Sequence, residues 1–207
     1  MKNKVQILAM HGGSTFKTRK DYLKFLMNAK VSLEKKVRWI DNLEIQLEKE
    51  FEVIRPTMPL KENANYLEWK IYFERYIPLL KDNIILIGSS LGGIFLVKYL
   101  SENKFPKKIL SIYLIAPPFD NTILGEDLVG GFELRKDLSL IEKNCKRITL
   151  IFSKDDPVVP ISHSEKYKKN MKFAKIVVYK SKMGHFKVKR FPELIKMIKG
   201  DKKLLSP

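Results

Sequence analysis

Ile84-Ile85-Leu86-Ile87 is an unbroken apolar run, and the segments 5–10 and 109–115 are nearly as continuous. A strand that alternates apolar and polar residues has one dry face. A continuous run needs cover on both faces, and parallel sheets obtain that cover from crossover helices. Three more segments rich in β-branched and aliphatic residues, 51–55, 148–152 and 175–179, bring the expected strands to six. Between them the spacing is helical. Leu33, Val37, Ile40, Leu43 and Leu47 recur every three or four residues, which predicts a helix whose apolar face packs on the sheet. Asn65 is placed to cap a second helix carrying Trp69, Phe73, Tyr76 and Leu80, with Pro78 near its exit. Further helices are expected over 90–103, with Ile94, Val97 and Leu100 inward, over 162–171, and over 192–199, where Pro192 opens the first turn. Both tryptophans belong to the core.

This alternation selects an α/β fold with a doubly wound, mostly parallel six-stranded sheet and helices on both faces, because parallel neighbours require right-handed crossovers. The 207 residues suit a single domain spanning 1–207. Two connections are long. One is 14–30, lysine-rich and partly helical; the other is 117–129, which carries Phe119, Ile123, Leu124 and Gly125 and leads to Gly130-Gly131. Both follow strand ends, where ligands bind in such sheets, so they are expected to wall the site.

An apolar share of 44% with 30% charged residues fits a soluble globular protein. The apolar run 5–10 is too short for a signal-peptide core and leads into His11-Gly12-Gly13 rather than a cleavage site. No stretch approaches the roughly 20 apolar residues of a membrane-spanning helix. Cys145 is the single cysteine, which excludes an intramolecular disulfide and a cysteine-based zinc site. The expectation is a cytoplasmic protein without membrane insertion, metal or organic cofactor. A net charge of +17 would create a positive field attractive to nucleic acid, anionic lipid or acidic substrates. The lysines are scattered, however, in short clusters such as Lys168-Lys169 and Lys202-Lys203, with no basic arm interleaved with aromatics. Specific nucleic-acid binding is therefore not expected.

The residues that carry chemistry lie at strand ends. Gly88-Ser89-Ser90-Leu91-Gly92 is a G-x-S-x-G set directly after the apolar run 84–87 and directly before a helix. A serine on so sharp a turn exposes its hydroxyl above the sheet, and the helix N-terminus favours the negative charge that develops in acyl transfer. Ser90 is thus the candidate nucleophile. A hydroxyl needs a base to take its proton, and among the three histidines only His185 combines a loop position at a strand end with a place late in the chain. His11, at the end of the first strand, reads as structural, and His163 as a surface helix residue. The acid is expected in Ser153-Lys154-Asp155-Asp156-Pro157, after the fifth strand. Gly12 and Gly13 would lie beside the serine, so that the N–H groups of Gly13 and Leu91 could hold the tetrahedral oxyanion.

These motifs resemble the α/β-hydrolase superfamily over essentially the whole chain. Within it, the chain is similar to small lidless serine hydrolases of the YdeN and retinoblastoma-binding-protein-nine type. The resemblance rests on His11-Gly12, Arg55-Pro56-Thr57-Met58-Pro59 followed by Trp69, Ser89-Ser90-Leu91-Gly92, Ile115-Ala116-Pro117-Pro118, Asp155-Asp156-Pro157 and Gly184-His185-Phe186, in that order. It implies the strand order two-one-three-four-five-six. It also implies a Ser90, Asp156, His185 triad, since the family's acid precedes a Val-Pro pair by three residues, here Val159-Pro160. The connection 14–30 departs from the resemblance in being longer and more basic. The activity implied is cleavage of an ester, thioester or amide through an acyl-Ser90 intermediate, short-chain carboxylesterase-like, on a small-molecule or peptide acyl substrate. The alternatives are a non-catalytic binding protein on the same fold, or a basic-surface binder of nucleic acid or anionic surfaces. Oligomeric state does not follow from the sequence.

Overall fold

The computed structural model describes residues 4–34, 37–122 and 127–205. Six strands form one sheet in the order β2-β1-β3-β4-β5-β6: β1 (Val5–Met10), β2 (Phe51–Ile54), β3 (Ile84–Ser89), β4 (Ile109–Ile115), β5 (Ile148–Ser153) and β6 (Lys175–Tyr179). Every pairing is parallel. The continuous apolar runs occupy the middle of the sheet, where residues 84–87 of β3 are fully buried, while the more polar β6 lies at an edge, half exposed. Register brings Met10 beside Gly88 and Ser89 beside Ile115, so that β1, β3 and β4 stop along one line. The loops that follow this carboxyl edge carry His11, Ser90, Asp156 and His185.

Helices α1 (Arg19–Asn28), α2 (Leu43–Leu47), α3 (Tyr66–Tyr76), α4 (Leu91–Glu102), α5 (Leu140–Asn144) and α6 (Ser162–Asn170) lie in the crossovers, and α7 (Pro192–Lys203) follows β6. Asn65 caps α3 by accepting the Leu67 N–H at 2.9 Å, and Trp69 and Phe73 on its inner face are wholly buried. These rings meet Phe95 of α4 in edge-to-face contacts, with centroids 5.8 and 5.2 Å apart. Helix α4 is buried along nearly its whole length. Each large apolar side chain it buries contributes about 1.5–3 kcal/mol, which makes α4 the hub that fixes the Ser90 turn. Among the described residues no helix is long and apolar enough to cross a membrane.

Among the described residues, the helix expected from Leu33 to Leu47 is found only as the short α2; residues 35 and 36 lie outside the described residues. Leu33 is fully exposed, and only Leu43 and Leu47 of the periodic set, on the short α2, are buried. Local side chains capture the backbone groups a helix would use: Ser32 Oγ accepts the Glu34 N–H and Asp41 accepts the Arg38 N–H. Trp39 N–H instead donates to Val188 O at 2.8 Å, and Trp39 packs edge-on against Phe191. The segment is thereby pinned to the loop that follows His185. The lysine-rich connection 14–30 does contain a helix, α1, as expected. Ile123, Leu124 and Gly125 lie outside the described residues.

Candidate active site

Ser90 sits at the turn from β3 into α4 with φ 52° and ψ −119°, a conformation costly for a residue with a Cβ. Hydrogen bonds on both sides hold it there. Its N–H donates to Ile115 O at 2.8 Å, and its carbonyl accepts the Gly93 N–H at 2.8 Å and the Ile94 N–H at 3.2 Å. The turn can approach β1 only because Gly92 lacks a side chain: a Cβ there would stand 2.4 Å from His11 O and 2.8 Å from Met10 O. Gly92→Ala is expected to cost about 2 kcal/mol, in the range of overpacked cores, by pushing α4 off the sheet. A denaturant midpoint that moves down at unchanged slope is the measure; an unmoved midpoint would show that the contact relaxes freely.

The histidine and its acid come from the loops after β6 and β5. His185 Nδ1 is 2.7 Å from Asp156 Oδ2, while Asp156 Oδ1 accepts the N–H groups of Val158 at 2.9 Å and Val159 at 3.0 Å. The Asp156 carboxylate is fully buried and the His185 ring is 14% exposed. A carboxylate only accepts, so Nδ1 of the neutral ring carries the hydrogen and Nε2 keeps its lone pair. Positive φ at Met183 (56°), Gly184 (73°) and Phe186 (47°) coils the loop sharply around the histidine. Phe186 anchors it by packing on Phe191, with centroids 5.7 Å apart.

Asp155 has a separate task. Its carboxylate accepts from Ser153 Oγ, Ser181 Oγ and the N–H groups of Lys182 and Gly184, bridging the β5 loop to the histidine loop. The Gly184 N–H foremost, with the Ser153 and Ser181 hydroxyls, holds this carboxyl well below the usual carboxylate range. The adjacent acids thus divide the work: Asp156 contacts the ring, and Asp155 ties down the loop carrying it.

Ser90, His185, Gly12 and Gly13 line one cavity of about 560 Å³. Gly12 packs directly on the serine, since a Cβ built on it would lie 3.2 Å from Ser90 Cβ. Leu91 is the first residue of α4, so its N–H has no helical partner. Gly13, Ser90 and Leu91 also line a second, much smaller space of about 20 Å³, closed by Pro118, Leu128 and Val159. His11 is engaged at both ring nitrogens: Nδ1 donates to Gly12 O at 2.6 Å and Nε2 accepts the Met58 N–H at 2.8 Å. Burial lowers its pKa, which keeps it neutral as these bonds require.

Two groups expected from sequence are placed differently or lie apart. His163 is not a surface residue but is fully buried, because its Nδ1 accepts the Phe119 N–H at 2.9 Å and so secures the start of the 117–129 connection. Cys145 lies in the core at the end of α5, and burial pushes its thiol up to about 11. Sequence reasoning also missed part of the cavity wall. Arg38, Asp41, Lys61, Glu62 and Lys187 line it. Asp41 is paired with Arg55 at 3.0 Å and Glu62 with Lys61 at 3.8 Å, whereas Arg38 and Lys187 have no ion-pair partner among the described residues.

A sequence model described as serine hydrolase matches residues 32–196. The fold is shared with the YdeN gene product of B. subtilis, at 18% identity and a TM-score of 0.77, the alignment covering 97% of this chain and all of that one. A putative YdeN-like hydrolase from Pectobacterium atrosepticum aligns at 13% identity and a TM-score of 0.65, over 99% of this chain and 94% of the other. A Pyrococcus furiosus esterase aligns at 16% identity and a TM-score of 0.56, over 97% and 82%. No curated protein is similar enough in sequence to match. With its six-stranded parallel sheet and a family match over most of its length, the chain belongs to the serine hydrolase family, on the α/β-hydrolase fold.

Proposed function

We propose that Ser90 is the nucleophile, His185 the general base and Asp156 the residue that orients the histidine, in a single domain spanning 1–207 that works in the cytoplasm. The observation that carries this is the meeting, in one cavity, of a serine on a positive-φ turn and a histidine whose Nδ1 is bound to a buried carboxylate. Ser90 Oγ attacks the acyl carbon while its proton passes to His185 Nε2. The carbonyl electron pair moves onto oxygen, where the N–H groups of Leu91 and Gly13 receive it, and the lack of a side chain at Gly12 leaves room beside Ser90 for that oxygen. Collapse expels the alcohol, thiol or amine, which takes the proton from His185. Water then repeats the sequence on the acyl-Ser90 ester and frees the acid.

The two spaces beside Ser90 support a substrate class. The side toward Leu91, Pro118 and Leu128 offers only about 20 Å³, roughly room for one water-sized group. Each methylene buried contributes about 0.8 kcal/mol, and so small a space stops rewarding length after a few carbons. The larger side carries Arg38 and Lys187, cations without an ion-pair partner among the described residues, so the rest of the substrate is best matched by an anionic group. Specificity constants for aryl esters are expected to peak at short acyl chains. They should rise severalfold when the alcohol portion bears a carboxylate, a gain weakened by salt because the cations face water. A steady increase out to long chains, or indifference to both charge and salt, would overturn the assignment of these two spaces.

A further inference from the structure

Helix α1 and the chain that follows it play no part in the reaction described above, yet they carry a run of exposed large apolar side chains. Leu23, Phe25, Leu26 and Met27 of α1 are 43%, 40%, 45% and 79% exposed, and Val31 and Leu33 beyond it are 91% and 108% exposed. No residue of α1 is buried. Its contact with the body runs through Phe16, whose ring lies 5.6 Å from that of Tyr22 and 5.1 Å from that of Phe25. Helical spacing then sorts the remaining side chains. Leu23, Leu26 and Met27, three and four residues apart, share a different face, and Lys20 and Lys24, also four apart, flank it. Arg19 and Lys30 add to a local excess of positive charge around these apolar groups. Ten helical residues with so little buried surface gain little from the body, so their apolar face is available to an external one.

We infer that the face of α1 bearing Leu23, Leu26 and Met27, with Lys20 and Lys24 beside it, docks the protein on an anionic lipid surface. An apolar stripe edged by lysines fits the boundary between headgroups and acyl chains, where apolar burial and attraction to negative lipid act together. A second copy of this chain fits worse, because a symmetric contact would oppose the same cations across it. Nucleic acid would use the lysines but leave the aliphatic side chains without a partner. Ser14 lines the Ser90 cavity and also a cleft of about 520 Å³ formed with Phe16 and with Asp21, Lys24 and Phe25 of α1, so the helix stands beside the reaction site, with its exposed apolar face turned away from that cleft.

The test is co-sedimentation of the full chain with vesicles of phosphatidylcholine alone and of phosphatidylcholine with phosphatidylglycerol. The protein is expected on the anionic vesicles and not on the neutral ones. Leu26→Ser with Met27→Ser, which leaves the charge unchanged, should weaken binding at least tenfold, and Lys20→Glu with Lys24→Glu likewise. Lys168→Glu with Lys169→Glu on α6 carries the same charge change elsewhere and should alter binding less than threefold. All the altered side chains of α1 are exposed, and unchanged fluorophosphonate labelling of the Leu26/Met27 variant verifies its fold. In addition, Met27→Trp should emit at shorter wavelength on anionic vesicles. Equal losses for the α1 and α6 charge variants, or no loss for the apolar variant, would reduce the effect to overall charge and overturn the proposal. So would a dimer that the apolar substitutions dissociate, or complete displacement from vesicles by duplex DNA with no response to those substitutions.

Discussion

Ser90→Ala is expected to lower ester turnover by at least about 10⁴-fold while leaving the thermal midpoint nearly unchanged. The size follows from how serine triads behave: the members act as one unit, and removing the nucleophile leaves only the residual help of binding and oxyanion contacts. Stability is spared because the Ser90 side chain faces the cavity and makes none of the turn's hydrogen bonds, which run through its backbone N–H and carbonyl. Alanine keeps the Cβ and therefore the same backbone cost at φ 52°. Loss of activity together with loss of fold would show that the serine is structural. Near-normal turnover would transfer the chemistry to another residue.

The second large effect separates two adjacent carboxylates. Asp156→Asn should lower turnover by roughly 10³–10⁴-fold, because an amide can donate where the carboxylate only accepted, and His185 is then free to present the wrong tautomer. Asp155→Asn should cost less than about tenfold: it keeps one acceptor oxygen for the histidine loop and does not touch the ring. Its signature is a looser loop. Steady-state rates of both variants, measured beside protease susceptibility around residue 183, distinguish the roles. If Asp155→Asn proved the more damaging to turnover, the assignment of the acid would be off by one residue.

The sheet was legible because the covering of parallel strands leaves a direct trace: runs such as 84–87 have no polar face to turn toward water. The Ser90 turn was legible for the same reason, as its glycines answer a local steric demand that the motif itself encodes. The region 33–47 misled, since its apolar period is real, but Ser32 and Asp41 bind backbone groups and Trp39 is drawn to Val188, a residue distant in sequence. The clamp at Asp155 was invisible because its donors Ser181, Lys182 and Gly184 stand 26 to 29 residues away. His163 was misplaced because the backbone N–H it accepts belongs to Phe119, on another connection. Arg38 and Lys187 could not be assigned to one cavity before the Trp39–Val188 hydrogen bond brought their two segments together. Local steric rules are written into adjacent residues; long-range hydrogen bonds are not.

The most direct measurement is rapid acid quench of the wild-type chain during turnover of a short-chain aryl ester, followed by intact-mass and peptide mass analysis. An acyl adduct on the peptide containing Ser90, absent from Ser90→Ala and accumulating only slowly in Asp156→Asn, is the expected result. An adduct on any other residue, or full turnover with no covalent adduct at any quench time and no reaction of Ser90 with a fluorophosphonate, would contradict it.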